Sequence, residues 1–288
     1  MFYKFTPLID ASAVKLWQKN LAENLELRGR LIVSAQGING TLGGDIKDLK
    51  AYIRQTKQYP GFKDIVFKWS DGGREDFPRL SVKVRPELVA FGVADRIKID
   101  SQGVVGGGKR LKPEQLHALV EQRKGDVVFI DGRNAWEASI GRFKNALVLN
   151  VEHSRDFPKA LGDDQYAAIK HKPVVTYCTG GVRCEVLSKL MKDEGFEDVY
   201  QLDGGIVKYL EAYGDDGLWE GSLFVFDERM NIQASDHAAV IGECSHCQHK
   251  TSNYLNCANK SCNRLVLVCD GCAAVKSYCR QCQPKVLA

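Results

Sequence analysis

A chain of 288 residues with 44% hydrophobic and 26% charged side chains can bury real cores and has the length of two or three domains. It holds no run near the roughly 18 apolar residues of a membrane span, and Met1 to Asp10 lacks a basic segment followed by an apolar one, so a soluble, cytoplasmic protein without a membrane partner is expected. Ten cysteines would suit a disulfide-stapled secreted domain, but eight lie in the last 45 residues and no leader is visible, so metal ligation outranks oxidation.

From the N-terminus the pattern predicts a strand over Phe2–Leu8, a helix over Ala11–Leu27, a strand over Gly29–Ala35, a turn, a helix over Ile46–Gln58, and strands over Ile65–Trp69 and Ser81–Ala90. That order fits a ferredoxin-like α+β domain over residues 1–92. The segment Gly37-Ile38-Asn39-Gly40-Thr41 and Gly43-Gly44 falls between strand and helix, where it reads as a structural turn or as a ligand loop. The net charge of +4 is unevenly spread: residues 1–110 carry 19 Lys and Arg against 12 Asp and Glu, whereas residues 111–242 carry 15 against 22. The N-terminal domain is therefore the face expected to meet a polyanion, unless its excess of positive charge is simply a solvated surface.

Residues 93–111, with Gly103 and Gly106-Gly107-Gly108, show no periodicity and read as a linker. Beyond it, Lys112-Pro113-Glu114 starts a helix that leads into the apolar strand Val127–Ile130. Apolar runs at Ala146–Val151, Val174–Tyr177 and Val199–Leu202 then alternate with helical stretches, including Arg183–Glu194 and Gly205–Tyr213. Such alternation implies a parallel sheet flanked by helices over residues 112–220.

The strand ending at Tyr177 runs into Cys178-Thr179-Gly180-Gly181-Val182-Arg183, after which a helix begins. A thiol there sits at the carboxyl end of a parallel strand and over a helix N-terminus, so unpaired amides and the helix dipole favour its thiolate. The two glycines let amides turn inward, and Arg183 supplies a fixed cation. An inert cysteine closing a buried strand is the bland alternative. Cys184, one residue on, reads as a packed or supporting thiol or as a partner that resolves an oxidised Cys178.

These residues resemble the rhodanese domains over roughly 112–215: Asp131-Gly132-Arg133 after a strand, Glu137, Gly141-Arg142-Phe143-Lys144-Asn145-Ala146, the Cys178 loop, and Leu202-Asp203-Gly204-Gly205 before the last helix. Rhodanese-like phosphatases carry one more residue between Cys and Arg, so four intervening residues imply the loop sized for sulfur. Gly141-Arg142-Phe143 stands where Gly-His-Ile is common, which argues against simple thiosulfate chemistry.

The C-terminal module, 221–288, reads Cys244-x-x-Cys247, Cys257-x4-Cys262, Cys269-x-x-Cys272 and Cys279-x-x-Cys282. Four such pairs are a strong signal for two structural Zn²⁺, which supply folding energy a short segment lacks. Pairing stays open, with a cross-brace of first with third and second with fourth preferred. Lys250, Asn253, Tyr254, Asn256, Lys260 and Arg264 lie between the pairs, where the module either touches RNA or only braces its neighbour.

Taken together with Tyr177-Cys178-Thr179-Gly180-Gly181-Val182-Arg183-Cys184-Glu185, Phe224-Val225-Phe226-Asp227 and the cysteine tail, the domain order resembles the bacterial rhodanese-domain tRNA uridine(34) hydroxylases over nearly the whole length. The resemblance implies oxygen-dependent hydroxylation of the wobble uridine of tRNA to 5-hydroxyuridine, with Cys178 catalytic, Thr179 to Arg183 its loop, and Cys184, Asp131 and Arg133 in support. It also implies tRNA as partner, molecular oxygen as co-substrate and an unidentified electron donor. No flavin or nicotinamide motif and no facial triad is visible, which turns attention to an oxygen species carried on sulfur. A sulfurtransferase bearing a persulfide on Cys178 is the alternative.

Overall fold

The computed structural model describes residues 1–274 and 278–282. The chain begins with β1 (Phe2–Phe5), α1 (Ala11–Asn24), β2 (Arg28–Ser34), β3 (Gly37–Gly43), α2 (Ile46–Thr56), β4 (Val66–Phe67) and β5 (Leu80–Val84). Asp10 caps α1 by accepting the Ser12 and Ala13 amides at 2.9 Å each, satisfying donors that the first turn leaves unpaired. The sheet order β4-β1-β3-β2-β5 is the ferredoxin-like arrangement extended by β5, which runs parallel to β2.

One expectation is corrected here. The glycine-rich stretch after Ala35 is neither turn nor ligand loop but β3, paired antiparallel with β1 on one side and β2 on the other. Its glycines reflect crowding: an added Cβ would lie 2.2 Å from Leu31 Cδ2 at Gly40 and 2.0 Å from the Lys4 carbonyl at Gly37. Composition alone reads glycine as a turn, and only the pairing partners reveal a central strand.

Leu31, Val33 and Ile38 face α1 and α2, where they pack with Val14, Leu21 and Tyr52. The opposite face carries Tyr3, Phe5 and Ile32 against the core of the central domain. Alternation along each strand thus serves two cores from one sheet.

The stretch 93–111, expected as a linker, carries β6 (Ile99–Asp100), β7 (Gly103–Val104) and β8 (Lys109–Leu111). Then follow α3 (Pro113–Gln122), β9 (Val128–Asp131), α4 (Ala135–Ala138), β10 (Gly141–Phe143), β11 (Leu147–Val148), α5 (Phe157–Leu161), β12 (Pro173–Tyr177), α6 (Val182–Asp193), β13 (Asp198–Leu202) and α7 (Gly205–Tyr213). The sheet runs β11-β9-β12-β13-β8 with every pair parallel, so β8 forms its edge. Val174 points to α5 and α6, while Val175 and Tyr177 point to α3 and α7. Both faces are covered, as an apolar parallel strand requires.

The remaining elements are β14 (Trp219–Gly221), β15 (Leu223–Phe224), β16 (Asn231–Ile232), β17 (Tyr254–Asn256), β18 (Leu265–Leu267) and α8 (Asp270–Ala273). Here β14 pairs with β10, and Ile140, Phe224, Tyr254 and Leu267 close a small core beside Trp136. Among the described residues no helix is long and apolar enough to cross a membrane.

Candidate active site

The strand-to-helix turn after β12 is made by Gly181, whose φ of 97° is left-handed and so suits glycine. It folds the chain back so that the Gly181 amide donates to Cys178 Sγ at 3.2 Å, with α6 starting at the next residue. Cys178 is fully buried. Burial resists its ionisation most, yet the Cys184 thiol donating to it, the Arg183 charge and the Cys184 and Arg183 amides outweigh that and bring the thiol to about 5. Donating to that anion while itself buried, the Cys184 thiol is pushed far above the ordinary thiol range. Cys184 also lies 3.8 Å from Thr176 Oγ1, so a second buried thiol stands directly after the six-residue loop.

Arg183 is held by Glu137 of α4 through two parallel bonds, Nη1 to Oε1 at 2.6 Å and Nη2 to Oε2 at 2.8 Å, and reaches Thr179 Oγ1 at 3.3 Å. The bidentate fork fixes the guanidinium beside the thiolate. Asp131 and Arg133, both without solvent exposure, pair with each other at 2.6 Å, and Arg133 donates to the Gly141 carbonyl at 2.6 Å. Their contacts tie the end of β9 to β10 and hold the wall on which Glu137 stands.

A second helix terminus meets the loop. Gly204 and Gly205, with φ of 78° and 68°, bring α7 so close that the Ile206 amide donates to the Cys178 carbonyl at 2.9 Å and the Val207 amide to that of Thr179 at 3.1 Å. A Cβ at Gly205 would lie 2.4 Å from the Cys178 carbonyl oxygen. The sequence marked these glycines, though not their contact.

Several residues at the site lay outside the sequence reading. Lys68 donates its buried ammonium to the Gly180 carbonyl and lies over the Tyr3 ring. Desolvation lowers its pKa against the pull of Cys178. The Tyr3 hydroxyl donates to Glu185 Oε1 at 3.0 Å, and Arg110 clamps the same carboxylate through Nη2 at 2.9 Å to each oxygen. Phe226 stands 45% exposed with the Arg183 guanidinium 5.9 Å from its ring centroid. Glu185 and Phe226 stand in motifs already quoted, though without a role, whereas no local pattern signals Lys68, Tyr3 or Arg110, because Lys68 and Gly180 are 112 residues apart.

The eight tail thiols form two groups, Cys244, Cys247, Cys269 and Cys272 in one and Cys257, Cys262, Cys279 and Cys282 in the other, each with its sulfurs within 4.8 Å. This is the cross-brace of first pair with third and second with fourth. Separations of 3.6 Å for Cys247–Cys269 and 3.8 Å for Cys262–Cys279 are far beyond the ~2.05 Å of a disulfide. They match the edge of a tetrahedron with metal–sulfur bonds of about 2.3 Å. Both groups fit a metal ion. Of the residues between the pairs, Tyr254 is buried and donates to the Trp136 carbonyl, Lys250 pairs with Glu243, and Arg264 reaches Glu152 of the central domain.

Three family models match in series: a UPF0176 acylphosphatase like domain over residues 1–88, a Rhodanese-like domain over 112–212 and a Rhodanase C-terminal segment over 220–285. A protein of Corynebacterium kroppenstedtii is 55% identical over 289 residues, covering 100% of this chain and 98% of its own. One of Corynebacterium jeikeium is 57% identical over 95% of this chain and 89% of its own, and one of Pseudarthrobacter chlorophenolicus 59% over 95% and 93%. Each of the three is named tRNA uridine(34) hydroxylase.

Proposed function

We infer, from the premise that the chain belongs to the tRNA uridine(34) hydroxylase family, that it hydroxylates the wobble uridine of tRNA to 5-hydroxyuridine on its rhodanese domain. The identity over nearly the full length carries the reaction class. The residue on which the reaction turns is Cys178, because its thiol is ionised at neutral pH although fully buried. Oxygen is the co-substrate, one atom entering at C5 and the other leaving as water with two electrons from a separate donor. A tRNA substrate favours work in the cytoplasm.

What the chain contributes follows from the contacts. The α6 and α7 N-termini hold the loop backbone, Arg183 keeps a fixed positive charge at the thiolate, and Cys184 donates the hydrogen bond that keeps Cys178 anionic. Low-pKa thiolates are the form that forms an oxygen or sulfur adduct, so the loop suits an oxygen species held on Cys178. The two four-cysteine groups would each hold a structural Zn²⁺, which would stiffen the tail packed against Trp136 and so support Glu137. Tyr254 is buried against Trp136, and Lys250 and Arg264 already pair with carboxylates of this chain at the surface, which favours bracing as the tail's role.

Nucleoside analysis of tRNA from cells carrying Cys178→Ala tests this reading. Loss of 5-hydroxyuridine, with the purified variant unchanged in circular dichroism, is expected. Undiminished product overturns the role of Cys178, and loss of a thiolated base instead selects persulfide transfer.

A further inference from the structure

On the N-terminal sheet, a groove of about 410 Å³ opens between β2 and β5, lined by Arg30, Ile32, Phe77, Arg79, Lys83 and Arg85 among others, with no acidic side chain on its walls. Register puts these groups on one face. In parallel pairing Arg30 stands beside Ser81 and Ile32 beside Lys83, and their neighbours Leu31 and Val33 point the other way into the helix-covered core. Arg30, Arg79, Lys83 and Arg85 are all exposed, and among the described residues none of the four forms an ion pair. Nearby cations behave differently: Arg28 pairs with Glu75 and Arg74 with Glu26. Four uncompensated positive charges around an apolar floor are costly for folding alone, since they repel one another, and they suit a partner that brings regularly spaced negative charge and flat apolar surface.

The groove is also aligned with the thiolate. Tyr3, Asn39, Ile32 and Lys83 form one row across β1, β3, β2 and β5 and share a face. Three strand spacings separate Tyr3 from Lys83, roughly 14 Å. Tyr3 in turn touches Glu185 on α6, the helix that starts at the Cys178 loop. Tyr3 and Ile32 of this row pack against the central domain, so the groove is the open end of the face whose covered end meets the site.

We propose that the β2–β5 groove binds the phosphate backbone of the substrate tRNA through Arg30, Arg79, Lys83 and Arg85, and so presents the target uridine to the Cys178 loop. The inference rests on the hydroxylase reading above. Phosphate contacts position a nucleic acid without reading sequence, so the groove sets affinity while the loop sets chemistry.

The test uses the full-length enzyme and an unmodified tRNA transcript with uridine at position 34. Binding is followed by fluorescence anisotropy across salt concentrations, and 5-hydroxyuridine by mass spectrometry of tRNA from cells that carry each variant and so supply the electron donor. Arg30→Gln/Arg79→Gln/Lys83→Gln/Arg85→Gln should weaken binding by about tenfold or more and reduce the slope of log affinity against log salt by about three. A control on the helix layer, Lys47→Gln/Lys50→Gln/Arg54→Gln/Lys57→Gln, removes the same charge from exposed positions and should change binding less than about twofold. Lys83→Glu/Arg85→Glu, at two exposed positions at the sheet edge, gives an independent variant with the same expected direction. Groove variants that bind like the wild type, or a helix-layer control that weakens equally, overturn the groove. Cells lacking the gene that keep their 5-hydroxyuridine overturn the hydroxylase reading, and the groove with it.

Discussion

At the scale of single residues, the site depends on a balance at Cys178. Burial alone would raise its pKa, and the Cys184 hydrogen bond, the Arg183 charge and the loop amides bring it to about 5. On the proposal that the Cys178 thiolate is the working form, activity should persist from neutral pH downward and fall as pH drops through about 5. Cys184→Ala or Arg183→Gln removes a stabiliser of the anion and should move that acid limb toward neutral pH in a kcat/KM profile. An unmoved limb in both variants would assign the ionisation to another group. Glu137 works one contact further back. Glu137→Gln strands a guanidinium that is nearly buried, at a cost of about 3–5 kcal/mol, which thermal melting should register as a fall of roughly 10 °C.

Among elements, two helix termini converge on one loop, and glycine is what lets them. Gly205 has a φ of 68°, and its added Cβ would press on the Cys178 and Thr179 carbonyls. Gly205→Ala should displace the α7 amides from the loop and slow product formation by about a hundredfold, the scale on which ångström misplacements act. Gly214→Ala is the comparison: its φ of 55° is also left-handed, but nothing lies within 4 Å of the added Cβ, so stability falls modestly and the rate stays. The tail is an element of another kind, with a few strand pairs and two thiol groups for a core. Chelation should release about two metal ions per chain and shift the emission of Trp136, which packs on Phe224 and Tyr254. Retained emission after complete metal loss would show that the tail folds on its own apolar contacts.

For the whole molecule, the N-terminal domain is more than an appended binding unit, since it covers the reactive loop. Lys68 reaches the Gly180 carbonyl, the Met1 side chain lies against Gly180, and Tyr3 reaches Glu185, leaving Cys178 with no exposed surface. Entry of a base then requires these contacts to part, as enzymes acting on a nucleobase draw it into a closed pocket. Loosening the cover with Tyr3→Phe/Lys68→Ala should raise the rate of Cys178 alkylation by iodoacetamide about thirtyfold, the worth of roughly two hydrogen bonds, as followed by peptide mass spectrometry. An unchanged rate would mean that the loop itself limits access.

Local chemistry carries far along this sequence. The Cys178 loop, the α3 start at Pro113, the alternation of central strands and helices and the four cysteine pairs each depend on neighbours a few residues away, so composition and spacing sufficed to find them. Resemblance of those motifs in series was enough to name the family. Distance defeated the rest. That Gly37 to Gly43 form a strand, that β5 runs beside β2 and β8 closes the central sheet, that Glu137 holds Arg183, and that Lys68 and Tyr3 close over the thiolate are all decided by pairings between segments remote in the chain. Hydrogen bonds and buried charges of that kind are satisfied only in three dimensions, because the free energy of a buried polar group depends on whichever side chain the fold brings to it.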